Sequence, residues 1–469
     1  MKRIISSIKK KESIFYIICF FLLLFSFHSN LFKIIPDNMY HKYEIFVESL
    51  VVGRMVKADK DGLFSASGFD GVNYDKKLLP DSIANGDYIN NLTVRDYIIS
   101  HFEGEQIKYY LNEKEAPEDY CVYVSQSGGQ AVFYYLIQKV LPFDQQTKYQ
   151  ILRFINCALL ALCFMLFVAW AYRNFGFVSA LVCFIFVFLS SWIVLFGGNG
   201  LWWSLWSFYI PFLTVLLLME KKHSNPESIT YRKILVYIFI AFIVKMFFTG
   251  LEFMTTIMLT IFIPIVYYFW IERRSIIEFL KFSFQAGVVA LLAVAIQFGV
   301  LILQLRDLLG TFNQATQYLI DSFVRRSSFN TGLTGYDQGD RFQDSDSLSF
   351  IWNNVVKDYL RGDVFYWGFL PSNFQFFFAY LIGAILFFSI VLLIFCRKSK
   401  DRKYQALVFS TLLSAACPLS WFVIFKEHAF WHPQIDFIIW YMPFLLLGFI
   451  LLGAGISCLL PKKNNMLNR

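Results

Sequence analysis

Three short stretches of this chain bring acidic, basic and amide side chains together at spacings that can do chemistry. Asp37, Glu44 and Glu48 follow an apolar run, and Glu44 and Glu48 are four residues apart, on one face of any helix that holds them. Arg54 comes between one and two helical turns later. A carboxylate at a membrane boundary can take the proton of a sugar hydroxyl, or bind a divalent cation beside a lipid phosphate. The plain alternative is a solvated acidic face. The second stretch, Lys245-Met-Phe-Phe-Thr-Gly-Leu-Glu-Phe253, sets Lys245 and Glu252 at an apolar hairpin. Ionisable groups there are expensive and point to a substrate contact or to a structural ion pair. The third, Lys426-Glu-His-Ala-Phe-Trp-His-Pro-Gln-Ile-Asp436, packs His428, His432 and Asp436 into one connection. The histidines are spaced i, i+4, but Pro433 and the missing third ligand disfavour zinc, so a phosphate or sugar contact fits better.

Weaker signals accompany these. Tyr123-Val-Ser-Gln-Ser-Gly-Gly-Gln130 is a polar turn before a helix, where free backbone N–H groups can hold an anion; Gln126 and Gln130 are its candidate contacts. No phosphate-loop lysine or dinucleotide fingerprint accompanies it. Gly197-Gly-Asn-Gly-Leu-Trp-Trp203 carries aromatics that suit a membrane interface or a sugar face. Asp337, Asp340, Asp344 and Asp346 lack calcium-loop spacing and are read as solvated. Asn91-Leu92-Thr93 is a glycosylation sequon only in a eukaryotic setting. Of the eight cysteines only Cys121 lies away from apolar spans, so no disulfide partner is at hand.

The elements that must position these groups are membrane helices. The chain is 57% hydrophobic, 20% aromatic and 16% charged, too apolar for an ordinary soluble domain. About ten apolar stretches reach spanning length. They fall at 15–35, 149–172, 177–196, 204–219, 234–248, 254–270, 282–305, 374–396, 406–425 and 437–460. The run from 13 to 35 is too long for a signal-peptide core and reads as a retained first helix. Lys and Arg collect at 1–11, 220–233, 272–281, 397–403 and 461–469, in every second gap. That alternation places both termini in the cytoplasm and the other gaps outside. The net charge of +8 therefore reports sidedness and anionic lipid rather than nucleic acid.

The expected fold is an all-α integral membrane protein with two large extracytoplasmic loops, at 36–148 and 306–373. The first loop carries more acids than bases. The remaining segments are a head and first span at 1–35, spans two to seven at 149–305, and the last three spans with the tail at 374–469. Residues 40–57 read as an amphipathic helix on the membrane surface, stopped by Asp59-Lys60-Asp61-Gly62. A second surface helix is expected at 129–141 and a third at 306–324, followed by a flexible stretch at 327–347. No internal repeat is visible, which weighs against transporter folds built from duplicated halves.

This layout resembles the GT-C superfamily of polytopic glycosyltransferases, and the local text resembles bacterial surface-polysaccharide membrane proteins. Glu48 through Arg54 with Asp61-Gly62, the Ser125-to-Gln130 turn, Gly250 to Phe253, and His428 to Pro443 carry the likeness. The resemblance implies a multi-pass protein of a bacterial inner or plasma membrane, with a polyprenyl-phosphate-linked sugar as donor. The acceptor would be a glycan or lipid on the extracytoplasmic face. An acid of the first outer loop would be the base or a divalent-cation contact: Glu48 first, then Glu44 and Asp37. Arg54, Gln126, Gln130, Lys245, Glu252, His428, His432 and Asp436 would contact substrate. The chain departs from the family in lacking a paired Asp-x-Asp or Asp-Glu just after the first span. Three other readings fit the same layout. One is a lipid-linked-saccharide transporter or flippase. Another is a polysaccharide polymerase or ligase using Arg325, Arg326 and Arg341. The third is a receptor or assembly factor with no turnover.

Overall fold

The computed structural model describes residues 2–89, 91–327, 349, 352–367, 375–399 and 401–460. The side chains of 2–12, 42–47, 354–355, 397–399, 431 and 433–434 also lie outside that description. Helix α1 (Lys2–Ser29) leads into α2 (Asp37–Asp61). Pro36 precedes the first turn of α2, and Gly62 ends it with a φ of 95° that a side chain would strain. Next comes a small cap. Strands β1 (Gly71–Tyr74) and β2 (Asp119–Val122) pair antiparallel with Gly71 opposite Val122. Helices α3 (Asp81–Ala84), α4 (Leu92–Phe102), α5 (Gln106–Tyr110) and α6 (Gly129–Val140) complete it.

The long helices then begin. Asp144 accepts from the Thr147 N–H to start α7 (Gln145–Phe175). Helices α8 (Phe177–Leu189) and α9 (Ser191–Gly198) meet at a 61° bend. Then come α10 (Gly200–Trp203), α11 (Trp206–Ser224), α12 (Tyr231–Thr249), α13 (Met254–Thr260) and α14 (Phe262–Glu272). A capping box of Ser275 and Glu278 opens α15 (Ile276–Leu309), and α16 (Phe312–Ser327) follows. The last part comprises α17 (Lys357–Arg361), α18 (Phe378–Ser399), α19 (Arg402–Ser414) and α20 (Ala416–Ile424). It closes with α21 (Lys426–Trp431), α22 (Pro433–Ile439) and α23 (Phe444–Leu459).

Five described helical stretches are long and apolar enough to cross a membrane: Gln145–Phe175, Met254–Glu272, Ile276–Leu309, Phe378–Cys396 and Arg402–Ile424. The bent pair α8–α9 makes six if it counts as one span. Ser13–Ser29 and Phe444–Leu459 are apolar but shorter. The chain is thus a helical membrane protein, and the count of ten is finer than length and composition establish. The core runs through α7, α8, α11 and α23, whose facing sides are fully buried. By contrast α15 keeps an apolar face open, with Ile277 and Phe284 both 74% exposed, as a lipid-facing helix does.

Several local expectations changed in the folded chain. The helix expected at 40–57 forms but does not lie on a surface. Leu50 to Met55 and Glu48 are buried because α2 is packed among α5, α6, α10 and β1. The helix expected at 129–141 forms over Gly129–Val140, but it buries Gln130, Ala131 and Tyr134 instead of lying free on a surface; its first residue lies so close to the Phe247 carbonyl that any Cβ there would overlap it. The amphipathic stretch at 306–324 is divided at Gly310 between α15 and α16. Gly197–Trp203 and Lys426–Asp436, read as turns or loops, are largely helical. Asp337, Asp340, Asp344, Asp346 and Arg341 lie outside the described residues.

Candidate functional site

Of the acids that follow α1, neither Asp37 nor Glu48 faces an open cleft. Asp37 is exposed and pairs with Lys33 at 2.9 Å, a solvated contact that also holds its carboxyl below the usual carboxylate range. The side chain of Glu44 lies outside the described residues. Glu48 is fully buried. The Tyr149 hydroxyl donates to its Oε2 at 2.6 Å, and the Leu201 N–H donates to Oε1 at 3.3 Å. The Arg153 guanidinium lies 4.0 Å away. Beside this group, the Asn156 Oδ1 accepts from Tyr134 at 3.1 Å and from the Trp206 indole at 3.0 Å. The arrangement fastens α2 to the first turns of α7 and to α10. Sequence reasoning missed Tyr149 and Arg153; their i, i+4 spacing at the start of an apolar span was the available signal.

Arg54 is also buried. It donates to Ser65 Oγ at 3.1 Å and to the Leu63 carbonyl, so it holds the turn after α2. Its charge acts on Asp70, which the sequence did not single out. Asp70 is fully buried, and neither carboxyl oxygen has a hydrogen-bond partner. Burial pushes this carboxyl up to about 8, with Arg54 opposing.

A second group forms where α12 turns into α13. Lys245 is fully buried, and its Nζ donates to the carbonyls of Gly250 and Glu252, both at 2.6 Å. It also lies 5.3 Å from the centre of the Phe208 ring. Lys245 therefore caps the turn rather than bridging to the Glu252 carboxylate. Gln130 donates to Gln126 at 2.7 Å, and Gln126 packs against Gly250. The candidate anion turn is thus closed onto the α12–α13 turn.

The turn presents Glu252, whose Oε1 is buried without a hydrogen-bond partner. Burial raises its carboxyl, and Arg326 and then Lys245 oppose the rise. The ring centres of His428 and His432 are 4.8 Å apart, and the Nδ1 of His428 has no hydrogen-bond partner. Burial, then His432 and Arg326, hold His428 well below the ordinary histidine range. His432 is lowered by burial and Arg326, with Asp96 opposing. Arg326 thus acts on Glu252 and on both histidines. Its guanidinium makes a 3.4 Å hydrogen bond to the Ser322 carbonyl of its own helix. Arg325 donates to Ser322 Oγ at 2.9 Å, and Arg95 donates to the Tyr318 hydroxyl at 3.2 Å, so both line the same edge.

No protein-family model, curated protein or solved structure matches the chain. The site must therefore be read from its own chemistry. Among the described residues no group of three or more His, Cys, Asp or Glu is placed to hold a metal ion. Asp436 is nearly fully buried, and burial alone raises its carboxyl well above the usual range. The structure therefore brings Glu252, His428 and His432 together through Arg326. It ties Gln126, Gln130 and Lys245 into the wall beneath them. Glu48 and Arg54 belong to separate fastenings, and Asp37 to the surface.

Proposed function

We propose that the protein is a membrane glycosyltransferase. It takes a sugar from a polyprenyl-phosphate donor and transfers it to a glycan or lipid on the extracytoplasmic face of a bacterial cell membrane. The observation that carries the reading is that the charge of Arg326 acts both on Glu252, whose Oε1 is unengaged, and on the neutral pair His428 and His432. A carboxylate raised by burial is suited to take a proton near neutral pH. Arg326 offsets the charge that gathers on a phosphate leaving group. In the step, the acceptor oxygen bonds to the anomeric carbon as the bond from that carbon to the phosphate oxygen breaks. The electron pair leaves with the phosphate, and the acceptor proton passes to Glu252. Glu48, expected to be the base, serves here as a fastening.

The topology of the proposal is ten spans with both ends in the cytoplasm. The cap at 37–143 and the Arg326 edge then share the outer side. One observation favours a second reading, a flippase for the same lipid-linked sugar: the 61° break between α8 and α9, since broken helices recur in transporters.

Membranes supplied with radiolabelled polyprenyl-phosphate sugar decide between them. The wild type should move label to a lipid-linked or polymeric acceptor, and Glu252→Gln should not. Equal transfer by the variant removes Glu252 from the role of base. Label that crosses the bilayer without leaving its polyprenyl phosphate establishes transport instead.

A further inference from the structure

The other end of the bundle holds a cleft unrelated to this chemistry. Helix α7 runs from the cap side at Tyr149 to Arg173, about 36 Å away by helix geometry. There the last turns of α7 and α11 and the first turn of α19 border an open cleft of about 500 Å³. Arg173, Asn174, Glu220, Lys221, His223 and Lys403 line it. Glu220 is the only acid of that lining, and it is engaged: Arg173 donates to it at 2.5 and 3.1 Å and Asn174 at 3.0 Å. The His223 ring lies 3.1 Å from Glu272. Lys221 and Lys403 are exposed and make no ion pair among the described residues, so the cleft keeps a positive excess.

Its depth suggests what fills it. Tyr16 and Tyr172 pack edge to face at 6.0 Å, and Tyr268 lies 5.6 Å from His223 and takes the Trp170 indole N–H at 2.8 Å. The Arg402 guanidinium lies 5.9 Å from the Trp270 ring. Trp170 and Tyr268 are buried, but Tyr16 and Tyr172 are part-exposed and Trp270 is exposed, and Tyr and Trp on a lipid-facing surface mark the level of lipid headgroups. A basic hollow between helices at that level matches a phosphate ester in charge. We propose that this cleft binds the phosphate headgroup of an anionic membrane lipid, with Lys221 and Lys403 supplying the charge. The proposal does not depend on the transferase reading.

The test uses the full chain purified in a zwitterionic detergent and follows its thermal midpoint. Phosphatidylglycerol should raise the midpoint where phosphatidylcholine does not. The double variant Lys221→Gln, Lys403→Gln should need at least about tenfold more phosphatidylglycerol for the same shift. The exposed pair Lys76→Gln, Lys77→Gln serves as the control and should respond like wild type. A Lys221, Lys403 variant that responds like wild type, or phosphatidylcholine acting equally well, overturns the proposal. Inorganic phosphate that reproduces the shift without lipid assigns the cleft to a soluble phosphate and also overturns it.

Discussion

The Tyr149 hydroxyl donates a 2.6 Å hydrogen bond to Glu48, joining α2 to α7 across 101 residues of sequence. With the Leu201 N–H on the other oxygen, both oxygens of a fully buried carboxylate are satisfied, as such burial demands. The bond ties α2 to α7 within the main core, while Phe69, Tyr120 and Val122 of the cap pack in a second cluster with Leu301, Leu305 and Tyr318.

Glu48→Gln should lower stability by about 3 kcal/mol, because it takes a buried carboxylate away from Arg153. Tyr149→Phe removes one charge-assisted bond and should lower it by about 2 kcal/mol. Denaturation midpoints of the purified variants check both values. Transfer per folded molecule should be retained in each, and a folded Glu48→Gln protein without activity would return Glu48 to the catalytic role.

Lys245→Met should loosen the Gly250–Glu252 turn. The buried Gly250 carbonyl then loses its donor, at about 1–3 kcal/mol, and the part-buried Glu252 carbonyl loses its own at a smaller cost. Hydrogen exchange should speed up at residues 249–254 before the rest of α12 is affected. Uniform exchange along α12 would show that Lys245 does not hold the turn.

Glu252→Gln should cut the transfer rate by about 10²–10⁴ if this carboxylate takes the acceptor proton. The wild-type rate should rise with pH through a limb above the ordinary carboxylate range, since burial raises Glu252. Arg326 opposes that rise, so Arg326→Ala should move the limb to higher pH as well as weaken donor binding. A limb that stays in place in the Arg326 variant would separate the two residues.

Asp70 sets a pH dependence of stability. Its folded-state value is about 8, whereas an unfolded aspartate titrates near 4. Between those values the folded chain holds a proton that the unfolded chain has released. Stability contributed by the protonated form is therefore complete at low pH and is lost as pH rises through the window, by about 1.4 kcal/mol per unit. Asp70→Asn should flatten that slope, raising the midpoint at about pH 8 and leaving it near wild type at about pH 4. Parallel curves for the two proteins would remove Asp70 from the pH response.

What the sequence by itself determined is local. Gly62 ends α2, although Asp59, Lys60 and Asp61 before it stay helical; Gly129 opens α6, and the apolar runs at 282–305 and 378–396 become parts of α15 and α18. These outcomes depend on backbone preference and on burial of a run of neighbours, which a linear reading contains. The partners of individual polar side chains are not local. Residues 40–57 read as a surface helix because their alternation does not reveal that Tyr149 and Arg153 will meet Glu48. Lys245 reads equally as an ion pair, because only the path of the turn puts two carbonyls within 2.6 Å of its Nζ. Arg326, Glu252 and His428 come from three separate helical regions, and no spacing predicts their meeting. Tertiary packing decided which charges are engaged in fastenings and which face one another, because pairing in a buried interior follows distance in space and not in sequence.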